Sequence, residues 1–233
     1  MDQAKDLAEV LERSNLTLTQ LCSLLSDEIV DTALFRLSDA DHAEYRRLFS
    51  IFEESRRNNE SNKGVALENL ASFLLSRLGF YQVLRNKRTS TNEMDVVLVK
   101  RLGLSNMGGE LLPSHMICEC KNYGQSVSVT YVGKFYSLLK VSGVKLGLMI
   151  SDSVISGRSK WNDGCGLCRK IALRDETYII NVSYDDLKLI DTQNISILKL
   201  ISDKINAIKL DISISYDEHE LCGDAAFTSM APE

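Results

Sequence analysis

Apolar positions recur at two different periods along this chain, and the change of period divides it. In DLAEVLER, residues Leu7, Val10 and Leu11 fall at helical spacing, and TLTQLCSLLSDEIVDTALFRL continues with a long apolar face. DADHAEYRRLFSIFEESRR then places Tyr45, Leu48, Phe49 and Phe52 on one side of a further helix, with Asp39 or Asp41 as its expected cap. The polar run RRNNESNKG at 56–64 reads as a boundary, because its short polar side chains compete for backbone hydrogen bonds. A helix is expected over roughly 64–78, closed by Gly79. Three strand patterns follow at 80–86, 93–100 and 115–121. An amphipathic helix at 128–143, a buried strand at 145–151, a helix around 160–173 and a strand at 177–183 complete this region. Further helical periodicity covers SYDDLKLI and 195–210, and a polar tail runs from about Asp211.

The order helix, three strands, helix, strand predicts an α/β layer arrangement, an αβββαβ core with helices flanking a central sheet. The expected organisation is a helical module at 1–60, an α/β domain at 63–190, a C-terminal helix at 191–210 and a mobile tail at 211–233. No apolar run reaches the ~18 residues needed to span a bilayer, and the acidic start MDQAKDLAEVLE lacks a basic signal-peptide flank. These features predict a cytoplasmic protein with no membrane partner.

The net charge of −5 conceals a division. Residues 1–62 carry 7 Lys/Arg against 13 Asp/Glu, a net of −6, and residues 176–233 carry 4 against 11, a net of −7. Residues 63–175 carry 16 against 8, a net of +8. A positive field confined to the middle of the chain suits a polyphosphate ligand, and equally describes an ordinary solvated surface.

Two of the expected strands hold charge where a core wants aliphatic side chains. In HMICECK, Glu119 and Lys121 project to one face while Cys118 and Cys120 point to the other. In EMDVVLVK, Asp95 opens an apolar run. If 93–100 and 115–121 pair as a hairpin, Asp95 reaches the Glu119 patch. Converging carboxylates repel, and a hard divalent cation such as Mg²⁺ relieves the repulsion. The plainer alternative is an exposed Glu119–Lys121 pair worth under ~1 kcal/mol.

Asp95, then Glu119-x-Lys121 on the next strand, after a helix bearing Glu68, resembles the PD-(D/E)xK nucleases. Within that superfamily the chain is most similar to Mrr-type restriction endonuclease domains. The matching pieces are KGVALENLASFLLSRLGF, NEMDVVLV, ECKNYGQSVSV, VGKFYSLLKVSGVKLGLMISDS and YIINVSYDDL, spanning roughly 63–190. Met94 stands where the superfamily often has proline before the first acid.

The resemblance implies a restriction-endonuclease-like fold and a Mg²⁺-dependent endonuclease, with Mn²⁺ able to substitute, acting in restriction or anti-phage defence. Asp95 and Glu119 would be metal ligands, the Cys120 carbonyl would complete the set, and Glu68 would help hold the metal or its waters. Lys121 would orient the attacking water or stabilise the developing phosphate charge. Asn122, Tyr123 and Gln125 either touch the phosphate backbone or form the turn after the strand. Arg85, Lys87 and Arg88, with Arg158, Lys160, Arg169 and Lys170, are candidates to line a nucleic-acid groove, and Trp161 either stacks a base or packs in the core. DNA is the expected substrate. Cutting both strands calls for a homodimer or larger assembly, and the acidic 1–60 segment, which lacks a basic recognition helix, suits docking of a partner protein or oligomerisation. A non-cutting scaffold on the same fold, and a junction resolvase or RNA-directed nuclease, are the alternatives.

No zinc is expected: Cys165 and Cys168 form a single CxxC without a second ligand pair, and either reading, redox pair or packing residues, is open.

Overall fold

The computed structural model describes residues 36–58, 63–79, 81–88, 93–101, 112–122, 124–156 and 163–210. The expected helices before residue 36 and the tail after residue 210 lie outside the described residues. Among the described residues no helix is long and apolar enough to cross a membrane.

Helix α1 (Asp39–Arg57) begins at Ser38, whose hydroxyl accepts the Asp41 N–H at 3.2 Å. The cap is therefore Ser38, and the two expected capping acids instead lie in the first turn, where the helix dipole favours them. Tyr45, Phe49 and Phe52 are buried along one face, and Phe49 stacks on Tyr184 with ring centroids 5.7 Å apart. Tyr45 also donates to the Leu187 carbonyl at 2.7 Å. Helix α2 (Lys63–Ser76) packs against α1 and against the sheet, and Gly79 beyond it takes a φ of +66°, a left-handed conformation that suits glycine.

The strands are β1 (Tyr81–Arg88), β2 (Glu93–Lys100), β3 (His115–Lys121), β4 (Leu146–Ser151) and β5 (Tyr178–Val182). They form one mixed sheet in the order β1-β2-β3-β4-β5. β1, β2 and β3 run antiparallel, whereas β3, β4 and β5 run parallel. Parallel neighbours need crossover connections, supplied here by α3 (Val129–Val141) and α4 (Gly164–Asp175). β4 is buried at all six positions, as a strand covered on both faces must be. Helices α5 (Tyr184–Gln193) and α6 (Ile197–Leu210) close the chain. This is an α/β arrangement, a mixed sheet flanked by helices, with an N-terminal helical segment.

Two apolar layers sandwich the sheet. On one face Val96, Leu98, Met116, Cys118, Leu148 and Ile150 pack with α1, α2, α5 and α6. On the other, Ile117, Met149 and Ile179 meet Val132, Phe135 and Leu139 of α3 and Cys168 and Ile171 of α4. Gly147 lets α3 approach closely, since a Cβ there would stand 2.6 Å from both Leu139 Cδ1 and Phe135 Cε1. β3, the strand carrying Glu119 and Lys121, is the middle strand of the sheet.

Because α1 shares its aromatic face with the main core, Phe52→Ala should lower unfolding free energy by about 3–5 kcal/mol. Chemical denaturation followed by circular dichroism should show a single transition; a separate early step for α1 would contradict shared packing.

Candidate active site

The β2–β3 ladder pairs Val99 with His115 through Val96 with Cys118, and there it changes character. One step further along the same register, Asp95 stands opposite Glu119. At this point the Asp95 side chain takes over from the backbone: its Oδ2 accepts the Cys120 N–H at 2.7 Å. The Asp95 carboxylate is thus fastened to the peptide unit joining Glu119 to Cys120. On the other side of β2, the pairs Arg85–Val96 and Lys87–Met94 flank Asn86, which adopts a φ of +47° opposite Asp95. Asparagine tolerates this left-handed conformation better than most residues. Regular β geometry gives way on the partner strand directly across from the aspartate.

Alternation on β3 puts Ile117 in the α3-side cluster and Cys118 in the opposite one, with Cys120 packed against the latter. Glu119 and Lys121 accordingly line a cavity on the α3 side together with Tyr131, Lys134, Phe135, Leu138 and Met149. The Lys121 ammonium forms an ion pair with Glu119 Oε1, and the two side chains are 15% and 19% exposed. At that degree of burial the pair is no solvated surface contact.

Burial is the largest influence on the Glu119 carboxyl and pushes its pKa above the ordinary value. The Lys121 hydrogen bond opposes it, while the negative charges of Asp95 and Glu68 add to it. Glu119 of β3 therefore senses acids from two other elements, Asp95 of β2 and Glu68 of α2. The Cys120 thiol is also pushed up, first by its hydrogen bond with Cys118 and then by burial. Its side chain packs with the apolar cluster on the face opposite Glu119 and Lys121.

Among the described residues no group of three or more His, Cys, Asp or Glu is gathered closely enough to hold a metal by itself. What the site offers instead is the Glu119 carboxylate with the charges of Asp95 and Glu68 within electrostatic range of it. Crowded, partly desolvated acids with hard oxygen donors fit Mg²⁺, which keeps several waters beside one or two protein carboxylates. They do not suit zinc, which prefers nitrogen and sulfur.

The remaining sequence candidates are spread around this centre. Arg85 and Lys87 are exposed on edge strand β1, and Arg85 donates to Asn69 Oδ1 of α2 at 2.7 Å. Gln125 is exposed in the loop after β3. Asn122 is only 4% exposed, and its amide donates to the Lys63 carbonyl at 2.8 Å, tying the end of β3 to the start of α2. Arg169 and Lys170 are half-buried on α4. Tyr123, Arg158, Lys160, Trp161 and the side chain of Arg88 lie outside the described residues. In the CxxC pair, Cys168 packs in the α3–α4 apolar cluster and its thiol is pushed up to about 12, mainly by burial.

Three residues near the centre escaped sequence reasoning. Tyr131 and Lys134 of α3 form the cavity wall facing Glu119 and Lys121. Asp152, 3% exposed, follows β4; its N–H donates to the Lys121 carbonyl at 3.1 Å, and its Oδ2 accepts the Gly124 N–H at 2.6 Å. Arg56 of α1 stands 4.0 Å from the same oxygen. A lone acid ending the apolar run LGLMIS was the available signal for Asp152. For Tyr131 and Lys134 there was none, because an amphipathic helix carries such residues routinely.

Residues 60–163 match a family model described as restriction endonuclease, of the Mrr catalytic type. Over that stretch the chain is similar to the catalytic domains of Mrr-type restriction endonucleases. A solved structure, the DNA modification-dependent restriction endonuclease AspBHI, is similar at 18% identity and a TM-score of 0.41. That similarity covers 77% of this chain and 44% of AspBHI, so the chain spans under half of its length. No curated protein matches.

Replacing Asp152 by Ala would strand the Gly124 N–H and loosen the turn after Lys121. Gly124 is exposed, so urea denaturation should report a loss of about 0.5–1.5 kcal/mol, the net contribution of an ordinary hydrogen bond.

Proposed function

We propose that this protein is a Mg²⁺-dependent endonuclease that hydrolyses DNA phosphodiester bonds, serving as the nuclease effector of a restriction or anti-phage defence system. The observation that carries the reading is the Asp95 carboxylate bonded to the Cys120 N–H, within the Glu119-x-Lys121 strand at the middle of the sheet. The restriction endonuclease match over residues 60–163 supports it.

In this reading Asp95, Glu119 and the Cys120 carbonyl would hold the cation, and Glu68 would steady it or its waters. A Mg²⁺ held there would supply a nucleophile at neutral pH and charge stabilisation on the phosphate. Glu119 keeps the Lys121 ammonium pointed into the cavity. From there Lys121 orients the attacking water, or stabilises the charge that develops on the scissile phosphate. Strand-borne groups suit this task, because their backbones are fixed by the ladder on both sides. Arg85, Lys87, Arg88, Tyr123 and Gln125 meet the DNA backbone outside the reaction centre, within the region carrying a net charge of +8. Asn122, buried and bonded to Lys63, acts on the backbone contact by holding the turn in place.

A homodimer or larger assembly would bring two sites to the two strands. Residues 63–190 form the nuclease domain, 191–210 its C-terminal helix and 211–233 a tail. Residues 1–60 supply a docking or oligomerisation surface, with α1 joining it to the core. The protein acts in the cytoplasm.

Purified protein incubated with plasmid DNA, linear DNA and RNA should cut DNA in Mg²⁺ or Mn²⁺ and stop on adding chelator. Asp95→Ala should lose cutting, and Lys121→Ala should lower its rate by about 10²–10³-fold, as for a lost transition-state charge contact. Both variants should keep the wild-type circular dichroism spectrum. Wild-type inertness on every substrate, partner protein included, would leave a nuclease-fold scaffold instead, and cutting confined to RNA or branched DNA would reassign the substrate.

A further inference from the structure

We infer that the cavity between β3 and α3 is a subsite for the phosphodiester next to the scissile one, with Lys134 and Tyr131 as its substrate-contacting residues. The inference rests on the nuclease reading for its substrate class, but on separate residues for its geometry. Tyr131 and Lys134 are three apart on α3 and so share one face of the helix. That face looks across the cavity to Glu119 and Lys121.

The two ammonium groups gather around a single ring: Lys121 Nζ lies 5.6 Å from the Tyr131 centroid and Lys134 Nζ lies 5.7 Å from it. The ring attracts each cation, while the cations repel one another. A phosphate drawn to the positive rim would offset that repulsion. Glu119 offsets the charge of Lys121 through their ion pair, so Lys134 is the cation that gives this wall its positive excess. Below the charged rim, Phe135, Leu138 and Met149 make an apolar floor.

A charged rim, an exposed aromatic ring and an apolar floor match one nucleotide unit, its phosphate on the lysines and its sugar or base against the tyrosine. Size points the same way. The cavity is about 220 Å³, below the ~300–1,000 Å³ typical of a pocket that swallows a whole small molecule. It accommodates part of a polymer whose remainder lies outside. Tyr131 is 40% exposed, so the ring is open to such a ligand. The close seat of α3 on Gly147 fixes the distance across the cavity.

The test is binding of fluorescein-labelled duplex DNA and single-stranded RNA to the full chain in chelator, by anisotropy across a potassium chloride series. Lys134→Ala should reduce the slope of log Kd against log salt by about 0.9 on duplex DNA and about 0.7 on single-stranded RNA, one phosphate contact, whatever the probe sequence. Lys188→Ala, an exposed lysine of α5 in the opposite layer, should leave the slope unchanged. Tyr131→Phe should bind as wild type, and Tyr131→Ala more weakly. In cutting assays Lys134→Ala should raise KM and keep kcat, the mark of uniform binding. An unchanged slope in Lys134→Ala, with wild type binding, would overturn the subsite and leave the nuclease reading standing. Expected slopes without cutting in Mg²⁺ would do the reverse. Failure of wild type to bind either probe would overturn both.

Discussion

The hydrogen bond from the Cys120 N–H to the Asp95 carboxylate is the constraint on which the candidate site depends. At the end of the β2–β3 ladder a backbone amide needs an acceptor, and a side chain supplies it. One interaction thereby satisfies the backbone and fixes a carboxylate against the Glu119–Cys120 peptide. Two acids drawn into a half-buried region would ordinarily drive one of them to take up a proton. Here Lys121 lies beside Glu119 and counters part of that tendency. The arrangement is costly for folding, and it gathers these charges at the end of the sheet's middle strand.

The rest of the fold serves to hold this point still. β3 has a strand on either side, and α2, α3 and the turn after Lys121 clamp its end. Asn122 reaches back to Lys63 of α2, and Asp152 holds both the Lys121 carbonyl, through its own N–H, and the Gly124 amide. Arg56 of α1 approaches the same aspartate and stacks over Tyr184 at 4.4 Å. Residues more than sixty positions apart in sequence, from α1 to α5, thus share a small polar cluster next to the site. That cluster also explains why α1 is not detachable from the domain it precedes: its aromatic face belongs to the main core and its last turn to the site's support.

Much of this was legible in the chain itself. The periodicity located all five strands to within two residues and ordered the helices between them. Asp95, Glu119 and Lys121 stood out because charge is expensive inside a strand pattern, so its presence there demands a reason. Glu68 was harder to separate from an ordinary helix acid, and its influence on Glu119 and Cys120 links it to the centre. The cap of α1 fell to Ser38 rather than to either aspartate, a local contest among similar side chains that periodicity does not judge.

The sequence alone determined the strand and helix content, the basic middle of the chain and which charged residues were out of place, because each follows from local spacing and local polarity. Only the tertiary structure decided that α3 lies close enough on Gly147 to bring Tyr131 and Lys134 opposite Lys121. It alone decided, too, that Asn122 is a buried tie and Asp152 a buried support. Those facts depend on which segments approach across a crossover connection, and no local pattern of apolar and polar residues encodes that distance.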